Sequence, residues 1–147
     1  MFKHILVPTD GSPRSLRAAK AAVRFARADG ARITAFYATP EYLPDITGDY
    51  IPPSFVSLPE FTKRVKMTAD KYLAQVKQLA DAARVPCATA RASSDSPYQA
   101  IIKAAKANKC DLIFMASHGR RGIASLLIGS ETTKLLTHCK LPVLVYR

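Results

Sequence analysis

Short apolar runs alternate along the chain with longer segments in which apolar residues recur every three or four positions. The runs predict five buried strands, at residues 4–8, 32–38, 86–92, 111–116 and 141–146. The periodic segments predict helices at residues 13–28, 61–83 and 130–137, with a further helix that follows Ser96-Pro97. Because strands and helices alternate, the pattern predicts an α/β fold with a parallel sheet and helices on both faces.

Residues 39–60 break this pattern. Five of the ten prolines lie there, which disfavours a regular helix or a central strand. We therefore expect a long Pro-rich loop, of the kind that forms a lid or a binding loop. The length of 147 residues suits a single domain that spans residues 1–147.

The composition favours anionic partners. Twenty-two Lys and Arg residues face eleven Asp and Glu residues, for a formal net charge of +11. The basic residues are spread along the chain without interleaved aromatics, so the pattern does not favour dedicated nucleic-acid binding. The three cysteines lack CxxC spacing and are expected to be reduced thiols. No apolar run is long enough for a membrane helix, and the chain starts directly with a strand, so we expect a cytoplasmic protein.

Two segments that follow predicted strands carry the candidate chemistry. Asp10 follows the first strand, and a Gly-rich stretch from Gly119 to Ser130 follows the fourth. Ligands of doubly wound sheets bind beyond the carboxyl ends of the strands, where the strand order reverses. Gly129-Ser130 at a helix N-terminus favours phosphate, Arg120 adds positive charge, and the Asp10 carboxylate suits ribose hydroxyls.

Simpler interpretations of these residues stay open. The glycines could only form a turn, Asp10 and Ser130 could only cap helices, and His118 could be a hydrogen-bonded loop residue. The phosphate-binding and dinucleotide-binding glycine motifs and the G-x-S-x-G nucleophile elbow are absent. Carboxylates are too few in the expected crevice to indicate multi-metal catalysis.

Four segments together resemble the universal stress protein family over nearly the whole chain. They are Ile5-Leu-Val-Pro-Thr-Asp-Gly-Ser12, Met115-Ala-Ser-His-Gly-Arg-Arg-Gly122, Leu127-Ile-Gly-Ser130 and Leu141-Pro-Val-Leu-Val-Tyr146. The ATP-binding branch of that family has the motif G-x2-G-x9-G-[ST]. Gly119, Gly129 and Ser130 match its second glycine, third glycine and hydroxyl, whereas Ala116 stands in place of the first glycine. An alanine there adds a methyl group beside the phosphate path and disfavours a positive φ.

The resemblance implies a five-stranded parallel sheet in the order 3-2-1-4-5 and a homodimer formed through the last strand, which carries Val143 and Val145. It also implies that ATP, with or without Mg²⁺, is the ligand. The implied nucleotide-binding residues are Pro8, Thr9, Asp10, Ala38, Met115, Ala116, Gly119, Arg120, Gly129, Ser130 and Glu131. No catalytic residue or resident metal site is implied.

Three functional hypotheses follow from the residues and the resemblance. The first is an ATP-binding stress-response module that regulates or protects without robust turnover. The second is an enzyme, either a slow ATPase or an adenylate-transferring protein. The third is a nucleotide-free interaction protein that uses its basic surface, an interpretation that Ala116 favours.

Overall fold

Strands and helices alternate in the computed structural model of the chain, which describes residues 1–44, 46, 48–119 and 128–147. The strands are β1 (His4–Pro8), β2 (Arg32–Thr39), β3 (Cys87–Ser93), β4 (Leu112–Ala116) and β5 (Val143–Tyr146). The helices are α1 (Pro13–Asp29), α2 (Leu58–Ala82), α3 (Pro97–Ala107) and α4 (Ser130–His138). Each predicted element is present, and no predicted end differs from the observed one by more than three residues.

The five strands form one parallel sheet in the order β3-β2-β1-β4-β5. This order confirms the predicted α/β fold. β1 lies at the centre, where Ile5 pairs with Ile33 of β2 on one side and with Leu112 of β4 on the other. The chain reverses its direction of progress across the sheet between β1 and β4, and sheets of this kind bind ligands in the crevice beyond the carboxyl ends of the strands at such a point.

Helices cover both faces of the sheet because β1 is apolar on both sides. Ile5 and Val7 pack against α1 and α2, whereas Leu6 between them packs against α3 and α4. All three side chains are fully buried. The face of α1 that meets the sheet is rich in alanine, including Ala19 and Ala22, which lets the helix axis approach the strands closely.

The connection between β2 and α2 is shorter than the predicted loop at residues 39–60. β2 runs through Thr39, and α2 begins at Leu58. The Ser57 side chain accepts a hydrogen bond from the Glu60 backbone N–H at 3.4 Å, which is half of a capping box. Pro59 is tolerated in the first turn because that position has no intrahelical partner for an N–H. Pro59 is therefore compatible with a helix that starts at Leu58, and it marks the first turn of α2.

A buried histidine marks the amino end of β1. The Nε2 atom of His4 shares a hydrogen bond with the Oγ1 atom of Thr34 at 2.8 Å, and the His4 residue is only 7% exposed. Burial lowers the pKa of His4, the nearby Arg32 lowers it further, and Asp111 opposes the shift. The folded protein therefore holds His4 in its neutral form more strongly than the unfolded chain does.

We expect stability to fall as the pH drops below the unfolded-state pKa of histidine, about 6.5. In that window the unfolded chain binds a proton at His4 more readily than the folded protein, so the free energy of unfolding decreases by up to about 1.4 kcal/mol per pH unit until the folded pKa is reached. Urea unfolding at pH 7 and pH 5 should show a smaller loss for His4→Gln than for the wild type. The exposed His138, changed to Gln, is the control and should behave as wild type. Equal losses in all three proteins would contradict the assignment.

Candidate functional site

The turn between β1 and α1 fixes the Asp10 carboxylate. Its Oδ1 atom accepts a hydrogen bond from the Ser12 backbone N–H at 2.9 Å. The Ser12 hydroxyl caps α1 by accepting from the Ser15 backbone N–H at 3.1 Å. Thr9 is buried, and its Oγ1 atom shares a hydrogen bond with the Ser15 hydroxyl at 3.2 Å. The helix cap and the carboxylate are thus parts of one hydrogen-bonded turn.

Gly11 is the position in this turn that cannot carry a side chain. Its φ angle is +74°, and a Cβ atom built on it would lie 2.2 Å from the Cε1 atom of Tyr72. Tyr72 projects from α2 and packs edge-to-face on Tyr37 of β2, with ring centroids 5.3 Å apart. An aromatic side chain of α2 therefore supports the Asp10 turn from beneath.

The start of α4 is bonded directly to the end of β4. The Gly129 N–H donates to the Ser117 carbonyl oxygen at 2.8 Å. The Thr132 hydroxyl lies 3.2 Å from the carbonyl oxygens of both Ala116 and Ser117. A Cβ atom on Gly129 would approach the Ser117 carbonyl oxygen to 3.1 Å, so a larger residue would push the helix away from the strand.

The structure brings Asp10 and Gly119 into contact. A Cβ atom on Gly119 would lie 2.6 Å from the Asp10 Oδ2 atom, so the space that a side chain would fill is occupied by the carboxylate. β1 and β4 are adjacent in the sheet, and both residues lie just beyond the carboxyl ends of those strands. The residue after β1 and the Gly-rich segment after β4 therefore meet at one edge of the sheet.

The start of α4 has no side-chain cap, and one polar atom beside it lacks a hydrogen-bond partner within the described ranges. Gly129 occupies the N-cap position and supplies no side-chain cap to the first turn. His118 is 8% exposed, and its Nδ1 atom shares a hydrogen bond with the Ser117 hydroxyl at 3.1 Å. Its Nε2 atom is buried and has no hydrogen-bond partner in the part of the chain that the structure describes. The adjacent Cδ2 atom is 3.5 Å from the Cβ position of Gly129, which places the imidazole beside the helix start.

Glu131, in the first turn of α4, already has two partners. Its Oε2 atom accepts from the Tyr98 backbone N–H at 3.0 Å, and its Oε1 atom accepts from Lys134 Nζ at 3.0 Å. Ser96 makes no side-chain cap for α3, so the Glu131 carboxylate takes that role. These hydrogen bonds hold the negative charge of Glu131 at the N-terminus of α3.

The remaining predicted site residues lie around the same edge. Pro8 ends β1, Ala38 lies one residue before the end of β2, and Met115 lies one residue before the end of β4. Ala116 is the last residue of β4 and pairs with Tyr146, and it does not have a positive φ angle. The expected conformational penalty for alanine in place of glycine is therefore absent, and only its buried methyl group remains. Arg120 lies outside the described residues.

The sequence reasoning missed several positioning residues. Thr132, Tyr72 and the capping role of Glu131 depend on contacts between distant elements, as does the orphan nitrogen of His118. The hydroxyl of Thr132, three residues after the motif glycine, was the one local signal available.

Burial raises the pKa of Cys110 to about 11, which makes its thiol a poor nucleophile.

Residues 1–44, 46, 48–119 and 128–147 contain no group of three or more His, Cys, Asp or Glu side chains that would hold a metal ion. None of the helices in those ranges has the length and apolar character needed to cross a bilayer.

The fold and this edge define a class of protein: a parallel α/β domain with polar residues gathered where the strand order reverses. The chain belongs to the universal stress protein family, whose model matches residues 1–147. A universal stress protein of Thermus aquaticus, encoded in the 3′ region of a QAH/OAS sulfhydrylase gene, is 37% identical over the full length of both chains.

Solved structures show the same fold. The hypothetical protein MJ0577 superposes with a TM-score of 0.78 at 23% identity, covering 99% of this chain and 95% of its own. A universal stress protein solved in complex with cAMP superposes with a TM-score of 0.72 at 24% identity, covering 99% of this chain and 97% of its own. At these identities the likeness concerns the fold alone.

The packing of Tyr72 against Gly11 predicts a large difference between two glycine substitutions. Gly11→Ala combines a positive φ with a clash against the ring, whereas Gly30→Ala has a φ of +66° and open space around the new methyl group. We expect Gly30→Ala to cost about 1 kcal/mol of unfolding free energy and Gly11→Ala about 2–4 kcal/mol. Urea unfolding measures both. Truncation by Tyr72→Ala should bring the added cost of Gly11→Ala down toward that of Gly30→Ala; the same cost in both backgrounds would contradict the contact.

Proposed function

We propose that the protein binds an adenine nucleotide, ATP with or without Mg²⁺, in the crevice between Asp10 and the start of α4. The observation that carries the proposal is the contact of the Asp10 carboxylate with Gly119, next to a helix start that has no side-chain cap. An acceptor for hydroxyl groups and donors for anionic oxygens thus lie within one crevice. Such a pairing suits a ligand that carries both a ribose and phosphates.

Each predicted residue has a role in this proposal. Asp10 accepts hydrogen bonds from the ribose hydroxyls, while Pro8, Thr9 and Ala38 border the adenine. The residues that surround the ribose and phosphates are Met115, Ala116, Gly119, Gly129, Ser130 and Glu131, together with Arg120 on the evidence of sequence alone. The residues after β4 follow the ATP-binding motif of the family with Ala116 in place of its first glycine.

The electrostatics of the helix start support an anionic ligand. Glu131 would repel a phosphate if its carboxylate faced the crevice, but two hydrogen bonds hold it toward α3 and Lys134. His118 keeps a buried Nε2 atom without a partner in the described ranges, and a phosphate oxygen would satisfy it as a donor. Residues around the crevice are thus arranged to accept negative charge.

The biological role follows from the family. A universal stress protein that holds a nucleotide without robust turnover would act as a cytoplasmic regulatory or protective module, with occupancy altering its partners. A slow ATPase or adenylate-transferring enzyme is the second candidate. The third is an interaction protein without nucleotide, which the net charge of +11 favours. The universal stress protein solved in complex with cAMP has the same fold, which supports the two candidate functions that involve a nucleotide.

A titration that distinguishes recognition of the whole nucleotide from attraction to its negative charge tests the proposal. At about 0.15 M salt, ATP should shift the backbone amides of Gly129 and Ser130 in NMR spectra and saturate at one ligand per crevice. Inorganic triphosphate should bind this crevice more weakly, because it cannot use Asp10 or the adenine position. Asp10→Ala should weaken ATP about tenfold and leave triphosphate at the crevice nearly unchanged, whereas Gly129→Val should weaken both.

The exposed Asp49, changed to Ala, is the matched control for the loss of one negative charge. It should leave ATP affinity within about twofold, apart from the weak effect of net charge that salt screens. Equal binding of ATP and triphosphate, with no effect of Asp10→Ala on either, would reduce the crevice to a basic surface and support the interaction-protein candidate. Sustained ATP turnover within the usual enzyme range of about 1–10³ s⁻¹ would support the enzyme candidate.

The proposal includes a homodimer formed through β5. This strand pairs only with β4, so its outer edge carries backbone donors and acceptors without a strand partner within the described sheet. Its side chains are all half-buried, and Val143 and Val145 project to the same face. An apolar edge strand favours pairing with another copy, and a twofold dimer is the commonest result.

We expect sedimentation at micromolar concentration to show a dimer that Val143→Asp weakens by at least about tenfold, because a carboxylate would be buried at the interface. Val145→Asp should have the same effect, and a thermal melt checks that each variant stays folded. Thr89→Asp on β3, the opposite edge, is the control and should leave the dimer intact. A wild-type monomer, or equal weakening by Thr89→Asp, would refute assembly through β5.

A further inference from the structure

A basic region lies at the opposite edge of the sheet from the crevice. A cavity of about 270 Å³ opens at the amino ends of β1, β2 and β3. Four cationic side chains line it, and we call this region the basic cleft: Lys3, Arg27, Arg32 and Arg84. The strands that separate it from the crevice are five to eight residues long, which corresponds to roughly 15–25 Å.

The nearby carboxylates offset only part of the positive charge of the basic cleft. None of the four cations forms an ion pair within the described ranges, where six other ion pairs are found. Two of the acidic groups nearby are paired with other cations, Asp29 with the amino terminus and Asp81 with Lys77. The third, Asp111, accepts from the backbone N–H groups of Lys3 and His4 and keeps its negative charge.

Helix dipoles offset only part of the positive charge. The C-terminal ends of α1 and α2 lie at this edge, since Arg27 is in the last turn of α1 and Arg84 follows α2 by two residues. Each helix end contributes roughly half a negative charge, or about one in total, against four positive side chains. The Asp111 carboxylate, bonded to the backbone N–H groups of Lys3 and His4, offsets one more charge, so a positive field of about two charges remains around the cavity.

We propose that the basic cleft binds a compact polyphosphate anion, a di- or triphosphate group, as a site distinct from the nucleotide crevice. Arginine guanidinium groups present forked donors that match phosphate oxygens, and three of the four cations are arginines. The other lining residues are Ala26, Gly30, Ala31, Val85 and Pro86, so no aromatic ring is present to stack on a base. The volume is slightly below the usual range for ligand pockets, roughly 300–1,000 Å³, which suits a small anion.

This inference goes beyond the proposed function and does not depend on it. Tripolyphosphate is the probe, titrated at about 0.15 M salt while backbone amides are followed by NMR. Binding in the basic cleft should shift the amides of Gly30, Ala31 and Val85, whereas binding in the crevice shifts those of Gly129 and Ser130. The two sets of amides therefore report the two sites separately within one experiment.

The variant Arg32→Gln/Arg84→Asn removes two cations and should weaken tripolyphosphate at the basic cleft by at least about tenfold. Asn suits position 84 because the backbone there has a φ of 57°. Lys103→Gln/Lys106→Gln on α3 is the matched control, since it removes the same charge from two exposed residues that line neither site. It should change the affinity of the cleft by less than about twofold.

Three outcomes would overturn the proposal. They are the absence of a saturable shift of the cleft amides, equal weakening by both double variants, and loss of tripolyphosphate binding when a sulfate salt supplies the same ionic strength. The second would mean diffuse attraction to a chain of charge +11. A single variant, Lys3→Gln, should weaken binding less than the double variant and guards against a folding defect. Failure of ATP to shift the crevice amides would sink the proposed function and leave this site untouched.

Discussion

The parallel pairing of β1 with β4 is the constraint on which the rest of the structure depends. This pairing places the carboxyl ends of β1 and β4 side by side, with the helices that follow them, α1 and α4, on opposite faces of the sheet. Asp10 then meets Gly119 at a distance that leaves no room for a side chain. Moving β4 to another place in the sheet would separate the hydroxyl acceptor from the helix start, and the crevice would no longer exist.

Backbone hydrogen bonds and small residues keep that crevice in shape. Gly129 is bonded to Ser117, and Thr132 clamps the two carbonyl groups at the end of β4. Gly11 allows the ring of Tyr72 to support the opposite wall. These contacts form without a ligand, so a nucleotide would lose little free energy in ordering the protein around it.

The sequence predicted the elements well because their signals are local. Apolar runs and helical spacing indicated all nine elements, and Ser12-Pro13 marked the start of α1. The strand order came from the family resemblance, since periodicity carries no information on which strands pair. The predicted start of α2 at residue 61 is wrong by three residues because proline breaks helices in their interior, whereas the first turn, where Pro59 lies, accepts it. Contacts such as Tyr72 with Gly11 link residues 61 positions apart, and no local pattern encodes them.

The two edges of the sheet receive positive charge by different means. At the carboxyl edge the start of α4 supplies backbone donors and a positive dipole end, and the one acidic side chain of its first turn is bonded to α3. At the amino edge lie the C-terminal ends of α1 and α2, which carry partial negative charge. Positive charge at this edge therefore comes from side chains, among them Arg27, Arg32 and Arg84. Backbone donors are fixed by the fold, whereas long side chains adapt to the anion that they meet. The carboxyl edge is therefore suited to selecting a ligand by shape, and the amino edge to holding a compact anion by charge.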